Sequence, residues 1–376
     1  VDITQELQRL SRFVTTDAPV ISVYLDTQWR DLHQHERTIT FLKRHIGQAA
    51  EVTLQSASAM QSLQDDLARL TDWSTKLRSS ARDPLTPGLA LFACSEGDLW
   101  VEFPAPVAFD NEFTVADRPA LRQLARLNAE YTTTLVALVD TRAARICEIV
   151  FGGLLTETDI VNEVPGRHQQ GGWAQMRYQR HVKDHMDRHH KEVADYLNAY
   201  VVEHPQTFVI LSGQEGIVAN LRPSLSAAVQ ERLLDTVQLD IRQSQADIVR
   251  VARELIQEHE REEEQEFVQR LLNRAGHGGL AVVGLQETLA AANTGRMHML
   301  IMHRDLTEHG SRCTNCDTLS EETLATCSVC GGTLTAVDLG EALVNRALQT
   351  DAFVELIEPD ARLTTYEGVG ALLRYK

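Results

Sequence analysis

The sequence predicts a mixed α/β chain of three domains, each a sheet packed with helices, with a small zinc ribbon inserted in the third. Three observations carry that expectation. Short apolar runs with strand character alternate with longer stretches whose apolar residues recur at helical spacing. The 376 residues suffice for two or three cores at roughly 100 to 200 residues per domain. Four of the six cysteines fall within eighteen residues, while Cys94 and Cys147 stand alone in strand-like segments and read as buried small hydrophobes.

The first domain is expected over residues 1–128. It opens with a short amphipathic helix and the apolar strand Val20 to Leu25. A helical stretch follows from Glu36 to about Ser80, with Phe41, Ile46, Met60, Leu63, Leu67 and Leu70 at helical spacing and no proline. Asp83-Pro84 and Thr86-Pro87-Gly88 punctuate it, and Leu89 to Cys94 reads as a buried strand.

The second domain, residues 129–275, begins with three strand candidates, Thr134 to Val139, Ala144 to Phe151 and Thr156 to Val164. Turns at Asp140-Thr141-Arg142 and Gly152-Gly153 suit an antiparallel meander. A polar loop, Pro165 to Gly172, leads into a helix from about Ala174 to Val202, whose apolar stripe is Tyr178, Val182, Met186, Val193, Tyr196, Leu197 and Tyr200. Gln206 to Ser212 is a further strand, and helices fill the span to Asn273, with Glu254 to Glu266 as a solvated helix face.

Ala275-Gly276-His277-Gly278-Gly279 reads as a helix stop and hinge. The third domain, residues 277–376, then runs strand (Leu280 to Gly284), helix (Leu285 to Asn293), strand (Met297 to Met302), cysteine cluster at about 310–334, helix (Asp338 to Gln349) and strand (Phe353 to Ile357).

With 43% hydrophobic and 24% charged residues, the composition is that of a globular chain, which excludes a disordered or fibrous one. A net charge of −17 argues against indiscriminate nucleic-acid binding. No basic leader opens the sequence and no apolar run approaches the roughly 18 residues of a membrane span, so the cytoplasm is the expected location, with no membrane partner. In that reducing compartment, Cys313-Thr314-Asn315-Cys316 and Cys327-Ser328-Val329-Cys330 read as two knuckles supplying Cys313, Cys316, Cys327 and Cys330 to one structural zinc ion. Four incidental thiols or two disulfides are the competing reading.

One segment departs from the acidic average. From Gly166 to Lys191, six basic residues face two acids, a net +4, and five of the fourteen histidines lie there. A loop tip without side chains, Gly171-Gly172, followed by a cationic helix suits insertion of backbone into a narrow RNA-lined cleft with anchoring on phosphate. Arg167, His168, Trp173, Arg177, Arg180, Lys183 and Arg188 are the candidate RNA-contacting residues. By themselves, the glycine pair also suits an ordinary loop and the basic face a solvated helix. His181, His185 and His189 recur every fourth residue, but no carboxylate completes a metal set. Asp140 and Glu148 would suit a two-metal nuclease, yet no third acid falls at a fitting place.

Gly171-Gly172 followed by Gln175, Arg177, Tyr178, Arg180 and His189-His190 resembles the Gly-Gly-Gln loop and helix of the archaeo-eukaryotic peptide-chain release factor and Pelota family, in its bacterial branch. Val209 to Gly213, Val282 to Leu289 and the glycine-rich tail Tyr366 to Tyr375 are similar to later parts of that family, and archaeal members carry a four-cysteine insert at this place. The likeness covers the chain after about Tyr131, and the first 127 residues match in outline only. The resemblance implies a tRNA-shaped translation factor in the ribosomal A site, with rRNA and peptidyl-tRNA as partners and a translational GTPase of the elongation-factor-Tu type docking on the third domain. It also implies that Gly171 and Gly172 let the backbone approach the peptidyl-tRNA ester while Gln175 orients a water for hydrolysis. Two departures matter. Trp173 stands directly after the glycines, where the family has glutamine, and no Asn-Ile-Lys-Ser motif is present, so stop-codon reading is not expected. Codon-independent peptidyl-tRNA hydrolysis in ribosome rescue is the first expectation, and non-catalytic occupancy of the A site in rescue or hibernation the second.

Overall fold

The computed structural model describes residues 3–28, 32–54, 56–79, 87–105, 107–129, 133–150, 153–161, 173–322 and 326–376, with backbone alone at 32, 78–79, 128–129, 153–154 and 173–183. Two compact units emerge, Val1–Glu130 with Glu263–Lys376, and Tyr131–Glu262. Among the described residues no helix is long and apolar enough to cross a membrane.

The amino-terminal part of the first unit runs α1 (Ile3–Ser11), β1 (Val20–Asp26), α2 (Leu32–Ala50), α3 (Ala57–Ser79), β2 (Gly88–Cys94), β3 (Leu99–Ala105), β4 (Glu112–Ala116) and α4 (Arg122–Ala129). Its sheet has the order β3-β2-β1-β4 with antiparallel neighbours, Val23 standing between Leu91 and Phe113. Ile21, Val23, Leu25, Leu89 and Leu91 pack with Ile39, Leu42, Leu63, Leu67 and Leu70 of α2 and α3. The helical stretch expected from Glu36 to about Ser80 is made of two helices. Ser56 begins the second, its Oγ accepting from the Ala59 amide at 3.4 Å, and β-branched Val52 and Thr53 fall in the break. Both helices join one core, so the apolar spacing carries across the break without revealing it. Strands β3 and β4 were not expected from the sequence. Parts of both are half-exposed and lack the unbroken apolar run of β1 and β2.

The second unit runs β5 (Thr133–Val139), β6 (Ala143–Val150), β7 (Gly153–Val161), α5 (Trp173–Glu203), β8 (Phe208–Ser212), α6 (Glu215–Leu221), α7 (Ala227–Glu231), β9 (Leu233–Val237) and the first part of α8 (Gln245–Gly276). The sheet order is β7-β6-β5-β8-β9, an antiparallel meander continued by two parallel strands. Pleat alternation divides β5 between two cores. Leu135, Ala137 and Val139 meet Val193, Ala194 and Leu197 of α5, while Val136 and Leu138 meet Ile248 and Ala252 of α8. Strand β9 replaces helix in the span expected to be wholly helical, its five residues being too few for a period to show. The Glu-dense face of α8 is largely exposed, as the sequence suggested.

The carboxy-terminal part of the first unit runs β10 (Ala281–Val283), α9 (Leu285–Asn293), β11 (Met297–His303), β12 (His309–Cys313), β13 (Leu319–Ser320), β14 (Leu334–Asp338), α10 (Leu339–Gln349), β15 (Phe353–Ile357), α11 (Ala361–Thr364) and β16 (Val369–Leu373). Its main sheet has the order β10-β16-β11-β15, and β13-β12-β14 make a separate three-stranded ribbon between β11 and α10. Val268 and Leu271 of α8 pack on Ala281, Ile301, Ile357 and Leu372. Gly368, at φ +71°, closes the turn into β16, where a Cβ would sit 2.5 Å from the His303 ring.

Candidate functional site: four-cysteine centre and basic helix

The ribbon brings the four predicted cysteines together. All four sulfurs lie within 4.8 Å of one another, with Cys313 Sγ 3.4 Å from Cys330 Sγ and Cys316 Sγ 3.6 Å from Cys327 Sγ. Disulfide sulfurs stand about 2.05 Å apart, whereas the edge of a tetrahedral zinc–thiolate shell is about 3.8 Å for 2.3 Å bonds. The spacing fits four ligands of one metal ion. Backbone amides converge on the sulfurs, from Asn315 and Cys316 to Cys313 and from Val329 to Cys327, which favours thiolate. The Thr318 hydroxyl, then the Thr318 backbone and Cys330, bring the Cys316 thiol down to about 6. Gly332 leaves the room these sulfurs need, since a Cβ there would stand 3.1 Å from Cys313 Sγ and 3.3 Å from Cys330 Sγ. The two single cysteines are fully buried, as expected. Burial pushes the Cys147 thiol up to about 11 and raises Cys94 as well, so neither is a reactive thiolate.

Around the ribbon lies a group of arginines that the sequence did not signal. Asp317 follows Cys316 directly, and its carboxylate receives Arg118 at 2.9 Å, Arg346 at 2.8 Å and Arg312 at 3.6 Å. Arg312 precedes Cys313, is 8% exposed and also pairs with Asp117. Burial lowers the pKa of both Arg312 and Arg346, with Asp317 pulling the other way. Beside this group, Arg122 pairs with Asp338 and Glu341 and donates to the Leu306 carbonyl at 2.7 Å. Glu341 accepts from the amides of Leu121 and Arg122 at the start of α4. Its carboxyl is pushed up to about 7 by burial, against the pull of Arg122.

The second predicted site is the loop and the helix after it. Arg167, His168, Gly171 and Gly172 lie outside the described residues. Trp173, Gln175, Arg177, Arg180 and Lys183 occupy the first turns of α5, and Arg188 is exposed further along. By helical period, positions 177, 180, 188 and 191 share one side of α5, well away from the side that buries Val193 and Leu197. His189 and His190 fall one turn before Val193 and Ala194 and are buried with them, their rings 6.1 Å apart. Burial, then the neighbouring His189, lowers the His190 pKa. Neither ring nitrogen of His190 has a hydrogen-bond partner among the described residues, so His190 is held neutral in the core.

Asp140 and Glu148 are not brought together. Asp140 accepts from the Thr141 amide in the β5–β6 turn, while Glu148, at the other end of β6, accepts from Tyr200 and Thr156, each at 2.7 Å. The four cysteines are the one grouping of potential metal ligands found among the described residues.

Residues 119–264 match the family described as bacterial archaeo-eukaryotic release factor family 10. Peptide chain release factor subunit 1 of Methanobrevibacter smithii is 23% identical over 292 residues, 68% of each chain. Among solved structures, Archaeoglobus fulgidus Pelota is 16% identical, with 77% of this chain and 79% of that chain covered and a TM-score of 0.35. A model of ribosome-bound archaeal Pelota and ABCE1 covers 99% of this chain and 94% of that chain, at 12% identity and a TM-score of 0.39. With superpositions this loose, the relationship rests on the sequence match. That match takes in positions 171 and 172, α5 and the strands β5 to β9, and over this span the chain is similar to bacterial archaeo-eukaryotic release factor family 10.

Proposed function

We propose that this protein is a cytoplasmic translation factor that binds the ribosomal A site as a tRNA mimic and hydrolyses peptidyl-tRNA without reading a stop codon. The observation that carries the reading is the family match over 119–264, joined to the net +4 of residues 166–191 in a chain of −17. In this mechanism Arg167, His168, Trp173, Arg177, Arg180, Lys183 and Arg188 contact rRNA, and each phosphate contact steepens the salt dependence of binding by about one unit. Gly171 and Gly172 admit the backbone to the peptidyl-transferase centre. Gln175 orients a water against the ester while the ribosome supplies most of the electrostatic environment, so the chain needs no strong acid or base. The four cysteines hold a structural zinc ion, and a GTPase of the elongation-factor-Tu type delivers the protein by docking on the carboxy-terminal domain.

Trp173 directly after the glycines favours a second reading, occupancy of the A site without cleavage, as a rescue or hibernation factor. Stalled ribosome complexes carrying labelled peptidyl-tRNA separate the two. Co-sedimentation with peptide release that is lost in Gln175→Ala supports hydrolysis. Co-sedimentation without release from either protein supports occupancy, and absence of co-sedimentation at moderate salt removes both.

A further inference from the structure

Residues that flank the first cysteine knuckle contact the amino-terminal segment, which also meets the carboxy-terminal part at Asp351 through Arg12 and at Gln349 through the Ser11 carbonyl. Asp117 and Arg118, in the connection between β4 and α4, meet Arg312 and Asp317, which stand immediately outside Cys313 and Cys316. Asp317 is set by the knuckle itself. It sits at φ +61°, and its amide donates to the Cys313 carbonyl at 3.0 Å while the Cys313 amide donates to the Thr318 carbonyl at 2.9 Å. Its carboxylate is shared by three guanidiniums, those of Arg118, Arg312 and Arg346, none more than 16% exposed. Next to them the contact continues through Asn345, which donates to the Pro119 carbonyl at 3.1 Å, and through Arg122. Gly340 gives Arg122 its room, since a Cβ there would stand 2.6 Å from its Nη2.

Four thiolates at these separations repel one another unless a cation sits among them. When the ion leaves, the knuckle relaxes and Asp317 leaves the place that the Cys313–Thr318 turn gives it. Arg118, Arg312 and Arg346 then lose the carboxylate they share and face one another in a half-buried space. Arg312 is tied into the β12 ladder and Arg346 into α10, which buries Leu343 and Ala347, whereas Arg118 stands in the connection between β4 and α4. We propose that the metal state of the four-cysteine knuckle is a latch, holding the amino-terminal sheet against the carboxy-terminal domain when the ion is bound and releasing it when the ion is lost. The proposal rests on the reading that the knuckle binds metal.

The test uses full-length protein with its metal content measured, before and after removal of the ion by a chelator under reducing conditions, followed by hydrogen exchange. Residues 118–126 and 341–346 report the latch, and β1, β2, β11 and β16 serve as controls. The expected result is at least about a tenfold rise in exchange at the latch, with the controls still protected and with reversal on adding zinc. Asp317→Asn, which keeps all four cysteines, should loosen the same peptides while retaining about one equivalent of zinc. Unchanged exchange at 118–126 in the metal-free protein, or in zinc-loaded Asp317→Asn, overturns the latch. Loss of protection in the control strands together with the latch also overturns it, because the ion would then support the whole fold. Protein that takes up no zinc overturns the metal reading and the latch with it, whereas protein that takes up zinc and exchanges alike with and without it overturns the latch alone.

Discussion

Two groups of cations in this molecule differ in what answers their charge. Arg118, Arg122, Arg312 and Arg346 have at most 17% of their side-chain surface exposed, and each meets a carboxylate from another element. Arg188 and Lys191 of α5 are exposed, on the side of the helix away from its core. A count of charges along the chain treats the two groups alike. The fold separates them, spending the first on joining two parts of one unit and leaving the second facing water in a chain of net charge −17. Cationic density therefore marks a candidate ligand surface where the side chains remain solvated, and marks architecture where acids from elsewhere in the chain have claimed them.

The largest effect that tests this contrast is Arg122→Ala. It leaves Asp338 and Glu341 without their shared cation, and the expected loss is about 3 to 5 kcal/mol of stability by chemical denaturation. A loss as small as that of an ordinary surface arginine would abolish the distinction. Next comes Glu341. Its folded pKa is raised from 4.5 to about 7, so the stability drawn from it is full below about pH 4.5 and is lost as the pH rises to about 7. The change is on the order of 1 to 3 kcal/mol, and Glu341→Gln should flatten that slope in denaturation midpoints taken across the window.

On α5 the same kind of substitution should leave the fold alone. Arg188→Ala is expected to change stability by less than about 0.5 kcal/mol while lowering the salt slope of ribosome binding by about one unit. A stability loss comparable to that of Arg122→Ala would place Arg188 among the architectural cations. The smallest effect is the acid-side slope from His190. Its pKa is lowered from 6.5 in the folded chain, so the native state loses ground as the pH falls below about 6.5, opposite in sign to Glu341. His190→Leu should remove that slope, which a comparison of midpoints at pH 7.5 and pH 5.5 would show.

Much of this organisation was legible in the sequence. The meander β5–β7 announced itself through the Asp140-Thr141-Arg142 turn, and α9 and β15 fall on the residues that periodicity and flanking turns assigned. The cysteine spacing fixed the knuckles because the ligands of each are neighbours in sequence. What escaped was short, half-buried or distant. Strand β9 is five residues long, too short for a period. The arginine group was invisible because Arg118 and Asp317 stand 199 residues apart, and no local pattern records a pairing made only by tertiary packing. His189 and His190 were grouped with the basic segment by composition, whereas their place one turn before Val193 and Ala194 put them in the core.

The position of β16 bears on the order in which the molecule can assemble. β16 lies between β10 and β11, and among the described residues β10 pairs with β16 alone. The amino-terminal sheet is complete once Ala116 has been made, whereas the carboxy-terminal sheet stays split until Val369–Leu373 arrives. During synthesis the early sheet therefore waits, its Arg118 and Arg122 without acids, through more than half of the chain. An intermediate with a finished first sheet and an unzipped last one is the species a nascent-chain experiment should find, and the one most in need of shielding from its neighbours.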